Sequence, residues 1–124
     1  MQATGPQERQ EEPRLVDRQV EDRCPVEATL AVIGGKWKAV LVFYLKRGGA
    51  HRFAELRRKT HGISERVLTR QLRELEADGI VRREVFAEVP ARVEYSLTEY
   101  GESLGPVTEA MCQWGKAHMA VSTA

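Results

Sequence analysis

The clearest pattern of apolar and polar positions lies in the segment GISERVLTRQLRELEAD, residues 62–78. At about 100° per residue, a helix places three leucines of this segment on one side and three arginines on the other. The leucines are Leu68, Leu72 and Leu75, and the arginines are Arg66, Arg70 and Arg73, with Thr69 at the edge of their arc. The pattern predicts an amphipathic helix whose leucine face packs into a core and whose arginine face meets a partner.

The residues before this helix predict a second helix and a turn. Residues 53–60, FAELRRKT, form a short amphipathic pattern, and the glycine-containing residues 61–63 follow as a turn. Ser64 stands at an N-cap position, where its hydroxyl can accept a backbone N–H two or three residues later. Helix, glycine turn and helix together indicate a helix-turn-helix motif.

The residues after the arginine helix predict a β-hairpin. Gly79 ends the helix, and the runs 80–86 and 92–97 flank the connection AEVPA. Val93, Tyr95 and Leu97 alternate along the second run, as expected for a strand with one buried face. A hairpin at this place would be the wing of a winged helix.

The arginine face admits two interpretations. A row of guanidinium groups can contact phosphates and the O6 and N7 acceptors of guanine, which a helix reaches in the major groove of duplex DNA. The helix also carries acidic residues, so i,i+4 ion pairing on an ordinary exposed face is the alternative. These acidic residues are Glu65, Glu74, Glu76 and Asp78.

Two further helices are predicted near the start of the domain. Val26, Leu30 and Ile33 form a brief helical stripe that ends at Gly34-Gly35. The apolar positions of the next helix, which stops at residues 48–49, are Trp37, Val40, Leu41, Tyr44 and Leu45. Both stripes are interpreted as core faces, with Trp37 as a packing residue. Lys36 and Lys38 could approach DNA or simply solvate the helix.

The carboxyl-terminal region predicts a broken helix with an apolar seam. Thr98 is the expected N-cap, and Gly101 and Gly105-Pro106 indicate two helical pieces or a break. Apolar residues then recur at three- and four-residue steps, the spacing of a packing seam between helices. The seam comprises Leu104, Val107, Met111, Trp114, His118 and Val121. We expect it to form a dimer interface, because the earlier helices already supply a core for so small a domain.

Composition and charge limit the possible domain organisation and location of the protein only loosely. Its 124 residues, 42% hydrophobic and 30% charged, suit one domain over residues 24–122, preceded by a flexible or partly helical arm over residues 1–23. The net charge is +1, but residues 1–23 are acidic on balance and residues 51–83 are basic. No apolar run approaches the roughly 20 residues of a membrane span, so we expect a cytoplasmic protein, at the nucleoid when bound to DNA.

The chain resembles the HxlR family of MarR-like regulators over nearly all residues after Cys24. The resemblance rests on several blocks in the right order: 24–27 CPVE, 33–37 IGGKW, 53–56 FAEL, 62–64 GIS, 68–69 LT, 72–75 LREL, Pro90 and 93–98 VEYSLT. It implies a mainly α fold with a small β-hairpin, a winged helix-turn-helix. It also implies a bacterial transcriptional regulator that dimerises through its amino- and carboxyl-terminal helices.

Roles for individual residues follow from this arrangement. The amino-terminal half of a recognition helix enters deepest, so the expected base contacts are Ser64, Arg66, Thr69 and Arg70. The expected backbone contacts are Arg52, Lys59 and Arg73, although Lys59 also suits the dipole at a helix end. Arg92, near the wing tip, is expected in or over the minor groove. A twofold dimer would need an inverted-repeat operator with half-sites about 34 Å apart.

Regulation and alternative functions stay open at this level. The resemblance matches Cys24 to a cysteine that serves as a redox sensor in some members, so thiol oxidation is one possible signal and a small effector another. Cys112 lies beside the seam, either as a partly buried thiol or as a partner for the other subunit's cysteine. The scattered histidines form no catalytic arrangement, and no metal or cofactor site is indicated. A winged helix that binds only protein is the alternative function.

Overall fold

A computed structural model describes residues 24–123, with side chains described as far as Val121, so the predicted arm lies outside the described residues. The helices are α1 (Pro25–Ile33), α2 (Lys38–Gly48), α3 (Phe53–Lys59), α4 (Glu65–Ala77), α5 (Glu99–Glu102) and α6 (Gly105–Thr123). The strands are β1 (His51–Arg52), β2 (Val81–Phe86) and β3 (Arg92–Leu97). The prediction of a mainly α winged helix-turn-helix fold is confirmed.

The core lies where α2, α3 and α4 meet the base of the sheet. All three leucines of the α4 stripe are buried, as predicted. They pack with residues from the other elements: Leu41, Val42, Leu45, Leu56, Ile63, Ile80, Val81 and Leu97. Trp37 is half-buried against this cluster, in agreement with its predicted packing role. Burial of one full helix face fixes the rotation of α4 and so turns its arginines outward.

The sheet has one strand more than the predicted hairpin. Its order is β1-β3-β2, and both pairings are antiparallel. β1 has only two residues, His51 and Arg52, which pair with Tyr95 and Glu94. So short a segment shows no alternation, and it becomes a strand only because β3 offers a free edge.

The core assignment of the α1 stripe was wrong for two of its three residues. Ile33 is buried, but Val26 is 62% exposed and Leu30 is 58% exposed. Only the carboxyl-terminal end of α1, at Val32 and Ile33, reaches the core. The helical periodicity was real, but no described element packs over the rest of the stripe.

The predicted break in the carboxyl-terminal region is confirmed between α5 and α6. Thr98 caps α5, since its Oγ1 accepts a hydrogen bond from the Gly101 backbone N–H at 2.9 Å. Ser103 and Leu104 separate the two helices. Within residues 24–123, no single helix is long and apolar enough to cross a membrane, and only α1 and α2 together, bent by 78°, have the length and composition.

Candidate DNA-binding surface

The start of α4 is fixed by hydrogen bonds from two directions. Ser64 Oγ accepts the Val67 backbone N–H at 3.1 Å, which confirms the predicted N-cap. Arg57 Nε donates to the Ile63 carbonyl at 3.2 Å and so ties α3 to the turn. Gly62 has a φ of +92°, a conformation that glycine adopts at little cost. These contacts set the angle at which α4 leaves α3.

The arginine row lies on the solvent side of α4. Arg66, Arg70 and Arg73 are exposed, and Thr69 is half-buried beside them. Together with Glu65 they line one shallow depression along the helix. The structure therefore brings together four of the five residues predicted to contact DNA from α4, with Ser64 exposed at the amino-terminal end of the same helix.

Two acidic residues of α4 are paired with cations of other helices and not with the arginine row. Glu74 Oε1 lies 2.6 Å from Lys38 Nζ of α2, and Glu65 Oε2 lies 3.3 Å from Arg57 Nη1 of α3. Within residues 24–123, the guanidinium groups of the row form no ion pair or hydrogen bond. The helix therefore does not have the ordinary ion-paired face that its sequence also allowed. Lys38 does not solvate its helix, because it is only 7% exposed and its ammonium is paired with Glu74.

A second depression separates α4 from the sheet. It is lined by Thr69, Arg73 and Glu76 of α4 and by Arg83, Val93 and Tyr95 of the strands, among others. Arg83 is paired with Tyr95 across β2 and β3, so both side chains lie on the sheet face that meets α4. Sequence reasoning missed Arg83, although its position two residues after the buried Val81 places it on that face.

Arg92 lies on the other face of the wing. Its guanidinium donates hydrogen bonds to Glu88, at 2.8 Å, and to Glu94. It also stacks 4.0 Å from the centroid of the Phe86 ring. The hydrogen bond with Glu88 is the main cause that raises the pKa of Arg92. A minor-groove contact would exchange these partners for DNA, and it stays a prediction.

The two remaining predicted backbone contacts lie outside the α4 surface. Arg52 is paired with Glu94 across β1 and β3, on the same sheet face as Arg92. Lys59 Nζ lies 2.7 Å from His51 Nε2 and 5.8 Å from the centroid of the Tyr44 ring. His51 is buried, and its Nδ1 donates a hydrogen bond to the Gly49 carbonyl oxygen at 2.6 Å. The phosphate contacts of Arg52 and Lys59 stay predictions.

Most of the predicted seam on α6 is exposed to solvent. Met111 and Trp114 are 52% and 69% exposed, and Val107 is also exposed. Leu104 differs, because it packs against the core of its own domain. An apolar groove between α2 and α6 adjoins this surface, and Phe43, Met111 and Cys112 are among its lining residues. The exposed part of α1 adds Val26 and Leu30 to the apolar area of the domain.

The two cysteines lie on different helices. Cys24 is exposed and precedes Pro25 as the N-cap residue of α1. Cys112 is half-buried in α6, as the sequence suggested. Both thiols are free in this structure.

Comparison with known proteins shows which family of proteins this chain is similar to. A family model described as HxlR-like helix-turn-helix matches residues 32–123. YybR of Bacillus subtilis strain 168, described as an uncharacterized HTH-type transcriptional regulator, is 57% identical over 98 residues. The match covers 79% of this chain and 78% of YybR. Such relatives are regulators, in agreement with the interpretation of the chain as a protein that is not an enzyme.

Solved structures of similar sequence include a redox regulator in two states. The oxidized form of the redox regulator HypR is 56% identical, with a TM-score of 0.73, over 76% of this chain and 96% of that chain. The reduced form of HypR is 53% identical, with a TM-score of 0.75, over 81% of this chain and 98% of that chain.

Proposed function

We propose, given that the chain belongs to the HxlR family of helix-turn-helix transcriptional regulators, that it binds double-stranded DNA sequence-specifically as a homodimer. The operator would be an inverted repeat, because a twofold dimer presents two copies of α4 related by the same symmetry. The protein would act in the cytoplasm, at the nucleoid when bound.

The unpaired arginine row on α4 is the observation that carries this proposal. A protein surface normally neutralises such a row with neighbouring carboxylates, and here two of the nearest carboxylates pair with Lys38 and Arg57. Ser64, Arg66, Thr69 and Arg70 lie toward the amino-terminal part of the helix, which enters the major groove deepest in this motif. We assign base contacts to these four residues.

Backbone contacts would surround the base contacts. Arg73 is the best placed, because it lies at the junction of the two depressions beside α4. Arg52 and Lys59 are the further backbone contacts of the proposal, and Arg92 is the wing contact. Each phosphate neutralised releases condensed counterions, so affinity should fall steeply with salt.

Dimerisation would cover the exposed apolar surfaces of α1 and α6. Val26 and Leu30 on α1 and Val107, Met111 and Trp114 on α6 lie on surfaces that no described element covers. Burial of large side chains of this kind is a common source of association energy. Leu104 would support the interface from the core side, since it packs against its own domain.

A signal would alter DNA binding through the dimer. HypR is a redox regulator that is 56% identical over 76% of this chain, and Cys24 is exposed at the start of the proposed dimer element α1. We propose Cys24 as the oxidation-sensitive thiol, with Cys112 of the other subunit as a candidate disulfide partner. Disulfide formation would release two protons and pass two electrons to the oxidant. A small effector is the other form of signal in this proposal.

The test is a fluorescence-anisotropy titration on the upstream DNA of its own gene and on a scrambled duplex, over a salt series. Specific binding with a steep salt dependence is the expected result. Equal binding to both duplexes would contradict sequence-specific recognition, and no measurable binding to either duplex would support a winged helix that binds only protein.

The redox part is tested by repeating the titration after diamide treatment. We expect oxidation to change the affinity of the parent protein and to leave Cys24→Ser unchanged. Cys112→Ser is the second variant, and it should respond like Cys24→Ser only if the two thiols pair. An oxidation response that persists in Cys24→Ser would remove Cys24 from the mechanism.

A further inference from the structure

The ion pair between α2 and α4 is buried at its lysine and partly exposed at its glutamate. Lys38 is only 7% exposed, although lysine is seldom buried, and its Nζ lies 2.6 Å from Glu74 Oε1. The side chain of Glu74 is 39% exposed, so this carboxylate lies at the boundary between the core and the arginine face.

The position of Glu74 on α4 explains what the pair prevents. Glu74 follows Arg70 by four residues, and side chains at this spacing are neighbours on a helix surface. A carboxylate without Lys38 would therefore stand beside Arg70, the residue proposed to contact bases. It would also add one negative charge to the surface that faces the phosphates.

We propose that Lys38 is a positioning residue for DNA recognition, which holds the Glu74 carboxylate away from Arg70 and cancels its charge. This inference rests on the proposed function. Lys38 itself does not reach the DNA, because its ammonium is buried against Glu74. It acts through the charge and direction of the Glu74 side chain.

Magnitudes indicate which measurement is the most sensitive. An i,i+4 pair contributes about 0.2–0.5 kcal/mol, so competition for Arg70 alone would lower the affinity only about twofold. The added negative charge at the interface acts on every DNA sequence and should reduce the magnitude of the slope of log K against log salt, by at most the value for one neutralised phosphate, about 0.9 per subunit. The salt slope is therefore the primary readout.

The experiment compares Lys38→Met with the full-length parent protein by anisotropy over a salt series. Methionine keeps the buried apolar stem of lysine and leaves Glu74 able to reach water, so the fold should persist. We expect a slope of measurably smaller magnitude than that of the parent, by up to about 0.9 per subunit, and an affinity lower by about twofold or more. The double variant K38M/E74Q, which removes both charges, should recover the parent slope.

A matched control is available on the same helix. Lys46 pairs with Glu102 at 2.7 Å, and both side chains are about half exposed and distant in sequence from α4. Lys46→Met removes the same charge from α2, and we expect it to leave the salt slope unchanged. Lys38→Arg keeps a cation for Glu74 and should behave like the parent.

Arg70→Ala completes the test. It should lower the DNA affinity less in the Lys38→Met background than in the parent, because Glu74 already competes for Arg70 in that background. A purely structural role of Lys38 would lower the melting temperature of Lys38→Met and leave the salt slope of the folded protein unchanged. That result, or a double variant that fails to recover the slope, would overturn the inference. A parent protein without specific, salt-dependent binding would instead contradict the proposed function.

Discussion

The hydroxyl oxygen of Ser64, the N-cap residue directly before α4, accepts the backbone N–H of Val67 at 3.1 Å. Ser64 is an exposed residue, and within the described part of the chain its hydroxyl hydrogen is not donated to any other group. Ser64 therefore combines a capping role with the base contact proposed for it. The two roles can be separated, because capping needs only an acceptor, whereas the DNA phosphates repel a negative charge at this position.

Ser64→Ala should lower the free energy of unfolding by about 1 kcal/mol, since the cap is lost. Ser64→Asp should retain the stability, because aspartate is also a good N-cap, but should strongly weaken DNA binding through repulsion of phosphates. Thermal denaturation and anisotropy measured on both variants check this. If Ser64→Asp binds DNA with the same affinity as the parent protein, Ser64 does not contact the DNA.

Arg70→Ala should reduce the preference for the operator over random DNA by about 1–3 kcal/mol per site. The physical reason is the loss of a bidentate donor at one base pair, while backbone contacts elsewhere persist. Arg47→Ala is the control, because Arg47 pairs with Glu109 at 3.1 Å on α6 and lies outside the α4 surface. Equal losses on both duplexes would assign Arg70 to the backbone instead.

If the proposed dimer forms through α6, Trp114→Glu should convert it into a monomer, because a charge would be placed in the apolar surface proposed to be buried. Light scattering coupled to size-exclusion chromatography measures the mass directly. Val85→Glu is the matched control, since Val85 is similarly exposed but lies on the wing. A Trp114→Glu protein that remains dimeric would move the interface away from this part of α6.

Gly101→Ala should destabilise the fold by more than about 2 kcal/mol, through overpacking. A Cβ atom at Gly101 would lie 2.1 Å from the backbone oxygen of Ile80, which cannot move without disturbing the sheet. Gly115→Ala is the control, because no atom lies within 4 Å of the added Cβ apart from its chain neighbours and the nearby backbone of its own helix. Chemical denaturation at one fixed protein concentration compares the two, and equal stabilities would disprove the close contact.

Glu55 should contribute to stability only above acidic pH. Its Oε1 accepts the Arg52 backbone N–H at 2.7 Å, and this hydrogen bond is the main cause that lowers the pKa of Glu55 below its ordinary value of 4.5. A carboxyl group whose pKa is lower in the folded than in the unfolded protein stabilises the fold at pH values above its unfolded-state pKa. This contribution is lost as the pH falls through the pKa of the folded state. Glu55→Gln should therefore be less stable than the parent at pH 7, with the difference shrinking below about pH 4.5. A difference independent of pH would contradict this assignment.

Local patterns determined most of the fold and part of the candidate site. The 3.6-residue period of leucines and arginines defined α4, and Ser64 and Thr98 marked helix starts, because capping and periodicity act within a few residues. The sequence also identified the resemblance to the HxlR family. Sequence reasoning by itself left open whether the arginine face was neutralised.

Tertiary structure decided which charges are paired and which apolar residues are covered. The pairing of Lys38 with Glu74 joins residues of α2 and α4, and the exposure of Val26 and Leu30 depends on what packs over α1. β1 likewise exists only because β3 lies beside it. Ion pairs, burial and edge strands depend on distances between segments far apart in the chain, which periodicity along one segment does not contain.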